Sequence, residues 1–264
     1  MTDEPRAFID LHCHTNASFD SLADPLAVAR AAVSRGLTHL AITDHDRVEG
    51  ALRARDASPA GLTIIVGEEI RTAGGDLIAL FLERAVAPGR PVAETIAAVR
   101  EQGGLVGVPH PFDRFRGSMG RSAELEAMVG LVDWVEAFNA RVFGGAANEQ
   151  AALLARDLGL PGVAVSDAHS TLEVGVAFTA LTGDPSTPAG LLAALPSAEL
   201  VTGRATYFVR LNTPLAKLVQ RIRGNGRVAT VVEAAAAEVA AEAAEVAAEP
   251  AKAKPTAEPG ERGR

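Results

Sequence analysis

The chain has 264 residues, 48% of them hydrophobic and 22% charged, with a net charge of −8. That length supplies a core for one large domain, and the acidic balance argues against a broad nucleic-acid groove, which needs a basic excess. The single cysteine, Cys13, excludes an intrachain disulfide framework. The segment Met1–Arg6 is polar and has no signal-peptide core, and no run reaches the ~18 apolar residues of a bilayer span. A soluble, cytoplasmic protein with no membrane partner is expected.

In chain order, short apolar runs alternate with helical patterns. The runs are Phe8–His12, His39–His45, Thr63–Ile70, Asp76–Leu82, Leu105–His110, Trp134–Asn139 and Gly162–His169. Most are rich in Val, Ile and Leu on both faces, as parallel strands covered on both sides should be. Helices are predicted at Pro25–Arg35, Pro91–Gln102, Ser122–Val129 and Gly145–Leu158. Pro25 and Pro91 suit first-turn positions, and Gly36 and Gly103 suit helix exits. Repeated βα units imply a parallel sheet or barrel; a doubly wound sheet is the structural alternative. Residues 174–223 read as one more strand, a short helix and a basic helix at Thr213–Arg223. Residues 231–264 hold 13 Ala and 7 Glu. Val232, Val239 and Val246 recur there every seven residues, but Ala between them buries little area, so a solvated, flexible or partly helical tail is expected.

Polar residues of metal-ligand type close five of the runs. Asp10, His12 and His14 have a spacing of two, which on a strand turns all three to one face. Asp44-His45, Glu68-Glu69, His110-Pro111 and Asp167-Ala168-His169 follow at later run ends. Five of the six histidines fall in this set; His39, at the start of a run, reads as structural. Imidazoles and carboxylates converging at the strand ends of a barrel suit zinc, manganese or iron. Cys13, between two of these histidines, alternates away and reads as a packed thiol.

These motifs, Asp10-Leu11-His12-Cys13-His14-Thr15, Ile42-Thr43-Asp44-His45, Gly67-Glu68-Glu69, His110-Pro111 and Ser166-Asp167-Ala168-His169-Ser170, resemble those of the PHP (polymerase and histidinol phosphatase) superfamily in its short, stand-alone form. The resemblance implies a distorted seven-stranded (β/α) barrel over residues 7–170. It also implies a PHP-associated segment packed on the barrel (171–225), ahead of the low-complexity Ala/Glu-rich tail (226–264). It implies hydrolysis of phosphate esters by a metal-activated hydroxide at two or three divalent ions. The family pattern falls on His12, His14, Asp20, His45, Glu69, His110, Asp167 and His169 as ligands. Asp10, Asp44 and Glu68 are left as further ligands or as carboxylates that hydrogen-bond a ligand and orient it. Asp167 and His169 are also the candidate catalytic groups, His169 as a proton donor to the leaving oxygen. One departure stands out: no histidine occurs between Asp46 and Pro109, and Asp76 is a poor substitute, which puts a third ion in doubt.

Arg114, Arg116 and Arg141, with Asn139 at a strand end, are the candidate substrate contacts, since guanidinium grips phosphate through paired hydrogen bonds. Residues 113–121, with two glycines, read as a lid or a plain surface loop. The expected partner is a small phosphorylated substrate, with nucleotides and short oligonucleotides among the candidates; mono- and diesters are not distinguished. Two other readings stand beside this one. An amidohydrolase-like enzyme also begins with His-x-His on a barrel, but Lys217, Lys252 and Lys254 are the only lysines and none lies in the barrel to bridge two ions. A non-catalytic PHP metal-binding module would have lost ligand positions, and here they are filled.

Overall fold

The computed structural model describes residues 5–119, 130–206, 209, 211–234 and 236–237. Its strands are β1 (Arg6–Asp10), β2 (His39–Ile42), β3 (Thr63–Thr72), β4 (Gly75–Leu80), β5 (Leu105–Val108), β6 (Trp134–Asn139), β7 (Gly162–Val165), β8 (Phe178–Thr182) and β9 (Glu199–Val201). They form one nine-stranded sheet in the order β7-β6-β5-β4-β3-β2-β1-β8-β9. The sheet curls into a nearly closed barrel. Beyond the end of β1, His14 N donates to Ala168 O at 2.8 Å and Asp167 N to His12 O at 2.9 Å, so the chain after β1 meets the chain after β7. Lower down, β8 pairs antiparallel with Arg6–Ile9 of β1 and holds the barrel open there.

The class is the expected α/β barrel, with two differences in detail. The segment after His169 contributes two strands, β8 and β9, where one was predicted. The sheet is also mixed: β4 runs antiparallel to both β3 and β5. Only Ala73 and Gly74 separate β3 from β4, and a connection that short makes a hairpin, because a parallel crossover needs about a dozen residues.

Helices α1 (Pro25–Ser34), α2 (Glu49–Asp56), α3 (Val92–Arg100) and α4 (Ala146–Leu158) follow strands as the βα pattern requires. At the start of α1, Asp24 accepts from Leu26 N at 3.0 Å and Ala27 N at 3.1 Å, ahead of Pro25. Pro91 sits just before α3 rather than inside its first turn. Helix α2 had no apolar stripe to betray it, because the residues it buries are Gly50, Ala51 and Ala54. Gly50 is there for space: a Cβ would lie 2.1 Å from Asp44 Oδ2 and 2.2 Å from Thr15 Oγ1. The helix predicted at Ser122–Val129, and the tail beyond residue 237, lie outside the described residues.

Side chains pack on both faces of the sheet. Ile9, Leu11, Ala41, Ile65, Ile78, Trp134, Val163 and Leu181 cluster with no member from α1–α4, so they fill the barrel. Leu40, Ile42, Ile64, Val66, Val106 and Val135 pack outward against Val28, Ala51, Ile96 and Leu154 of those helices. After β8 come α5 (Pro188–Ala194) and, beyond β9, α6 (Asn212–Ile222). Helix α6 is turned the unusual way round. It buries Ala216 and Gln220 and leaves Leu215, Leu218 and Ile222 exposed. No helix among the described residues is long and apolar enough to cross a membrane.

Candidate metal centre

The upper rim of the barrel carries the motif residues. His12 and His14 lie on extended chain just past β1, hydrogen-bonded on one side to the Asp167–Ala168 segment and on the other through Thr43 N to Cys13 O at 2.8 Å. His45 pairs in parallel with Glu69 of β3. His110 follows β5, and Asp20 comes from the loop before α1.

These side chains, far apart in sequence, meet. Glu69 is the hub: Oε2 lies 3.2 Å from His12 Nε2, 3.3 Å from His14 Nε2 and 3.2 Å from His45 Nδ1, while Oε1 lies 3.1 Å from His110 Nε2. Asp167 Oδ1 is 3.4 Å from His14 Nε2 and 3.5 Å from His169 Nδ1. Asp20 Oδ2 is 3.3 Å from His45 Nε2 and 3.4 Å from His169 Nε2. Two groups offer ligand atoms that all lie within 4.8 Å of one another: His12, His14 and Asp167, and His14, Asp20, His45 and His169. They share His14.

The electrostatics match. Burial opposes charge throughout, yet the histidines hold Glu69, Asp20 and Asp167 well below the usual carboxylate range, with Arg116 the largest such influence on Asp167. Burial lowers His12, but Glu136, Asp167 and Glu69 outweigh it and raise it well above the ordinary imidazole range; His45 rises to about 9 against the same burial, chiefly beside Glu69 and Asp20. His169 is the exception: burial, then Arg141, drive it down to about 3.

The donors suit a divalent cation. His12 Nε2 and His14 Nε2 approach to 2.9 Å, and the buried Asp167 Oδ1 and His14 Nδ1 have no hydrogen-bond partner among the described residues. Buried polar atoms left unpaired in this way are costly unless something binds there. Imidazole nitrogens with carboxylate oxygens are the set that zinc, manganese or iron takes. The backbone is strained at the same place: His110 has φ +25° and Asp167 φ +52°, values that side-chain-bearing residues seldom adopt outside functional sites.

Other predicted site residues lie around this centre. Asp10 is the last residue of β1 and turns away. It accepts from Ser166 N at 3.0 Å and Gly175 N at 3.4 Å, and burial lifts it to about 6. The alternation that would have aligned it with His12 ends with the strand. Asp44 accepts from Thr15 N and Thr15 Oγ1, both at 2.6 Å, and so fixes the turn after His14 rather than a histidine ring. Glu68 points away from Glu69, accepts from Val86 N at 2.8 Å, and is lifted by burial to about 8. Asn139 is buried and donates to Glu136 at 2.9 Å and Asp167 at 3.0 Å.

A cleft of about 310 Å³ opens on the rim, lined by Asp20, His45, His169, Arg116, Arg141 and residues of the C-terminal segment. Arg116 bonds Asp113 at 2.8 Å and Asp167, leaving its Nη2 without a partner. Arg141 bonds Glu173 at 2.8 Å and Thr213 at 2.7 Å. Arg114 is exposed and lines a neighbouring hollow with Phe112 and Phe143, outside this cleft. Asp76 lines the cleft despite its unpromising sequence position.

Sequence reasoning missed Glu136. It is buried in β6 and accepts from His12 Nδ1 at 2.7 Å, His110 N at 2.9 Å and Asn139. A carboxylate on the far nitrogen of a histidine fixes its tautomer and turns the other nitrogen toward a metal. The lone charge in Trp134–Asn139, an otherwise uncharged strand, was the available signal.

A curled βα sheet with imidazoles and carboxylates at its strand ends defines a class of metal-centred barrel proteins. Within that class the chain belongs to the PHP superfamily: residues 10–127 match the PHP domain and residues 145–200 the PHP-associated segment. Over 143 residues it is 34% identical to an uncharacterised protein of Methanocaldococcus jannaschii, covering 50% of this chain and 81% of that one. A 64-residue stretch is 39% identical to a 5'-3' exoribonuclease of Haemophilus influenzae, covering 24% of this chain and 23% of that protein. The fold is similar, with a TM-score of 0.66 at 18% identity, to a two-domain protein from Bacteroides vulgatus containing a predicted PHP-like metal-dependent phosphoesterase; the match covers 77% of this chain and 66% of that one.

Proposed function

We propose that this chain is a metal-dependent phosphoesterase acting on a small phosphomonoester or nucleotide. The observation that carries the proposal is the Glu69 carboxylate within 3.3 Å of four imidazoles, one of which, His45, lines a cleft also walled by Arg116 and Arg141. His12, His14 and Asp167 would hold one divalent ion and Asp20, His45 and His169 another, with Glu69 between them and His110 beside it; zinc, manganese and iron all suit the donors. When bound, such ions supply Lewis-acid charge at phosphate oxygens and lower the pKa of water to near neutrality.

The chain's own groups do the rest. Glu136, 2.7 Å from His12 Nδ1, would keep a proton on that nitrogen when a cation is bound, leaving Nε2 as the lone pair toward it. Arg116, braced by Asp113 and Asp167, lines the cleft and sets its positive charge beside a bound phosphate. Arg141 pins Glu173, whose Oε2 accepts from His169 N at 3.1 Å, and so sets the His169 backbone. With its pKa near 3, His169 carries no spare proton at neutral pH, which favours it as a donor atom over the leaving-group acid. The cleft volume fits one small ester better than a polymer.

Metal analysis of the purified protein, followed by phosphomonoester and phosphodiester panels with manganese, zinc or iron, tests this. Activity should vanish in His12→Ala and Asp167→Ala while circular dichroism stays native. Wild-type turnover in either variant, or no hydrolysis of any ester by the loaded protein, would overturn it.

A further inference from the structure

One wall of the cleft comes from outside both matched family segments. Thr213 and Lys217 of α6, and Arg227 just after it, line the same opening as His45 and His169, yet the matches end at residue 200. This wall is fastened. Gln220 Nε2 donates to the carbonyls of Asn16 at 2.8 Å, Ser18 at 3.0 Å and Ser21 at 2.8 Å. Asn225 Nδ2 reaches Asn16 O at 3.1 Å, Arg47 bonds Gly226 O at 3.2 Å, and Arg71 bonds Val228 O at 2.6 Å. Lys217 and Arg227 are therefore placed by their backbone.

Neither charge is held in a direct ion pair among the described residues. Arg116 and Arg141 are each paired with buried carboxylates. Lys217 and Arg227 have no ion pair or hydrogen bond to a side chain among the described residues. Both rest on the ring of Phe19, at 5.4 and 4.5 Å from its centroid. A ring quadrupole orients a cation but does not neutralise it. Asp46 and Asp76 lie within electrostatic reach of Arg227, but Asp46 is bonded to Arg71, through its N at 2.9 Å and its guanidinium at 3.7 Å. Phe19 itself lies 5.0 Å, centroid to centroid, from His45. Two cations without a direct ion pair among the described residues thus stand one aromatic ring away from the candidate metal ligands, lining the same cleft.

We propose that Lys217 and Arg227 form a second anion subsite, which selects phosphate esters carrying a further phosphate or carboxylate group remote from the bond being cleaved. The proposal rests on the phosphoesterase reading, and it names the class of ester the site prefers.

The test compares phenylphosphonate with para-carboxyphenyl phosphonate, which need no turnover, by calorimetric titration into the full-length, metal-loaded protein. The corresponding phosphate esters are assayed in parallel for KM and kcat. Wild type should bind the carboxylated phosphonate about tenfold more tightly, the scale of one charged hydrogen bond, and the gap should narrow as salt rises. Lys217→Gln and Arg227→Gln should each shrink the ratio, and the double variant should bring it to one. Arg221→Gln, exposed on the same helix and outside the cleft, should leave the ratio alone. Equal wild-type affinities, or a ratio that survives in the double variant, would overturn the subsite. Failure to hydrolyse either phosphate, with the affinity gap intact, would instead count against the phosphoesterase reading alone.

Discussion

Replacing Glu136 with Gln removes one charge and almost no volume, and its cost follows from the donors around it. Oε1 accepts from His12 Nδ1 at 2.7 Å, and Oε2 accepts from His110 N at 2.9 Å and Asn139 Nδ2 at 2.9 Å. A glutamine has one accepting end. If its oxygen keeps the two donors on the Oε2 side, its NH2 faces His12 Nδ1. The imidazole must then carry its proton on Nε2, pointed into the centre. If the oxygen turns to His12 instead, two buried donors meet an NH2, at about 1–3 kcal/mol for each donor left unsatisfied. Either arrangement spoils the ligand geometry. Loss of such an outer partner typically weakens metal binding about 10–100-fold, or about 1.4–2.8 kcal/mol. Competition of wild type and Glu136→Gln against a chromophoric chelator for zinc or manganese measures this directly. Equal metal affinity in the two proteins, with the same metal-induced rise in Tm, would refute the role given to Glu136.

Gly50→Ala should lose about 1–3 kcal/mol in urea denaturation, since its Cβ would lie 2.1 Å from Asp44 Oδ2 and overpacking of this kind is costly. Gln220→Ala removes a donor shared by three carbonyls and should speed amide hydrogen exchange across residues 16–21; unchanged exchange would show that α6 does not hold that loop. His39, buried between Thr38 and Ser186, is held below the ordinary imidazole value, by burial first. A depressed folded-state pKa contributes stability that is fully present above the unfolded value near 6.5 and is lost as pH falls through the folded value. Denaturation of His39→Asn should therefore show a shallower loss than wild type on acidification below about pH 6.5.

Much of the barrel was legible because each parallel strand is an apolar run ended by a polar motif. His39–Ile42 and Leu105–Val108 are buried throughout, and a run buried on both faces announces itself. The orientation of β4 was also written in the sequence, in the two-residue link from Thr72 to Gly75, but an apolar run carries no sign of its direction. The meeting of His12, His14 and Asp167 followed from where their strands end, whereas Glu69 joins them from inside β3, which runs on to Thr72. Asp10 did not join them because regular alternation stops with β1. Glu136 was hidden inside a strand whose other residues read as core. The wall formed by α6 was hidden more thoroughly, since its attachment depends on polar side chains, Gln220, Asn225, Arg47 and Arg71, bonded to backbone carbonyls and not on a hydrophobic pattern.

That attachment has a consequence for motion. A helix that shows its leucines to solvent and is secured by amide-to-carbonyl bonds gains little from desolvation, so its detachment exposes little new apolar surface. It should open at a free energy well below that of global unfolding, as a small cooperative unit of its own. The Asp20 loop would be released with it, while the paired backbone carrying His12, His14 and Asp167 stays closed. The centre is thus built on the barrel except for one carboxylate, Asp20, which stands on the flank that α6 ties down.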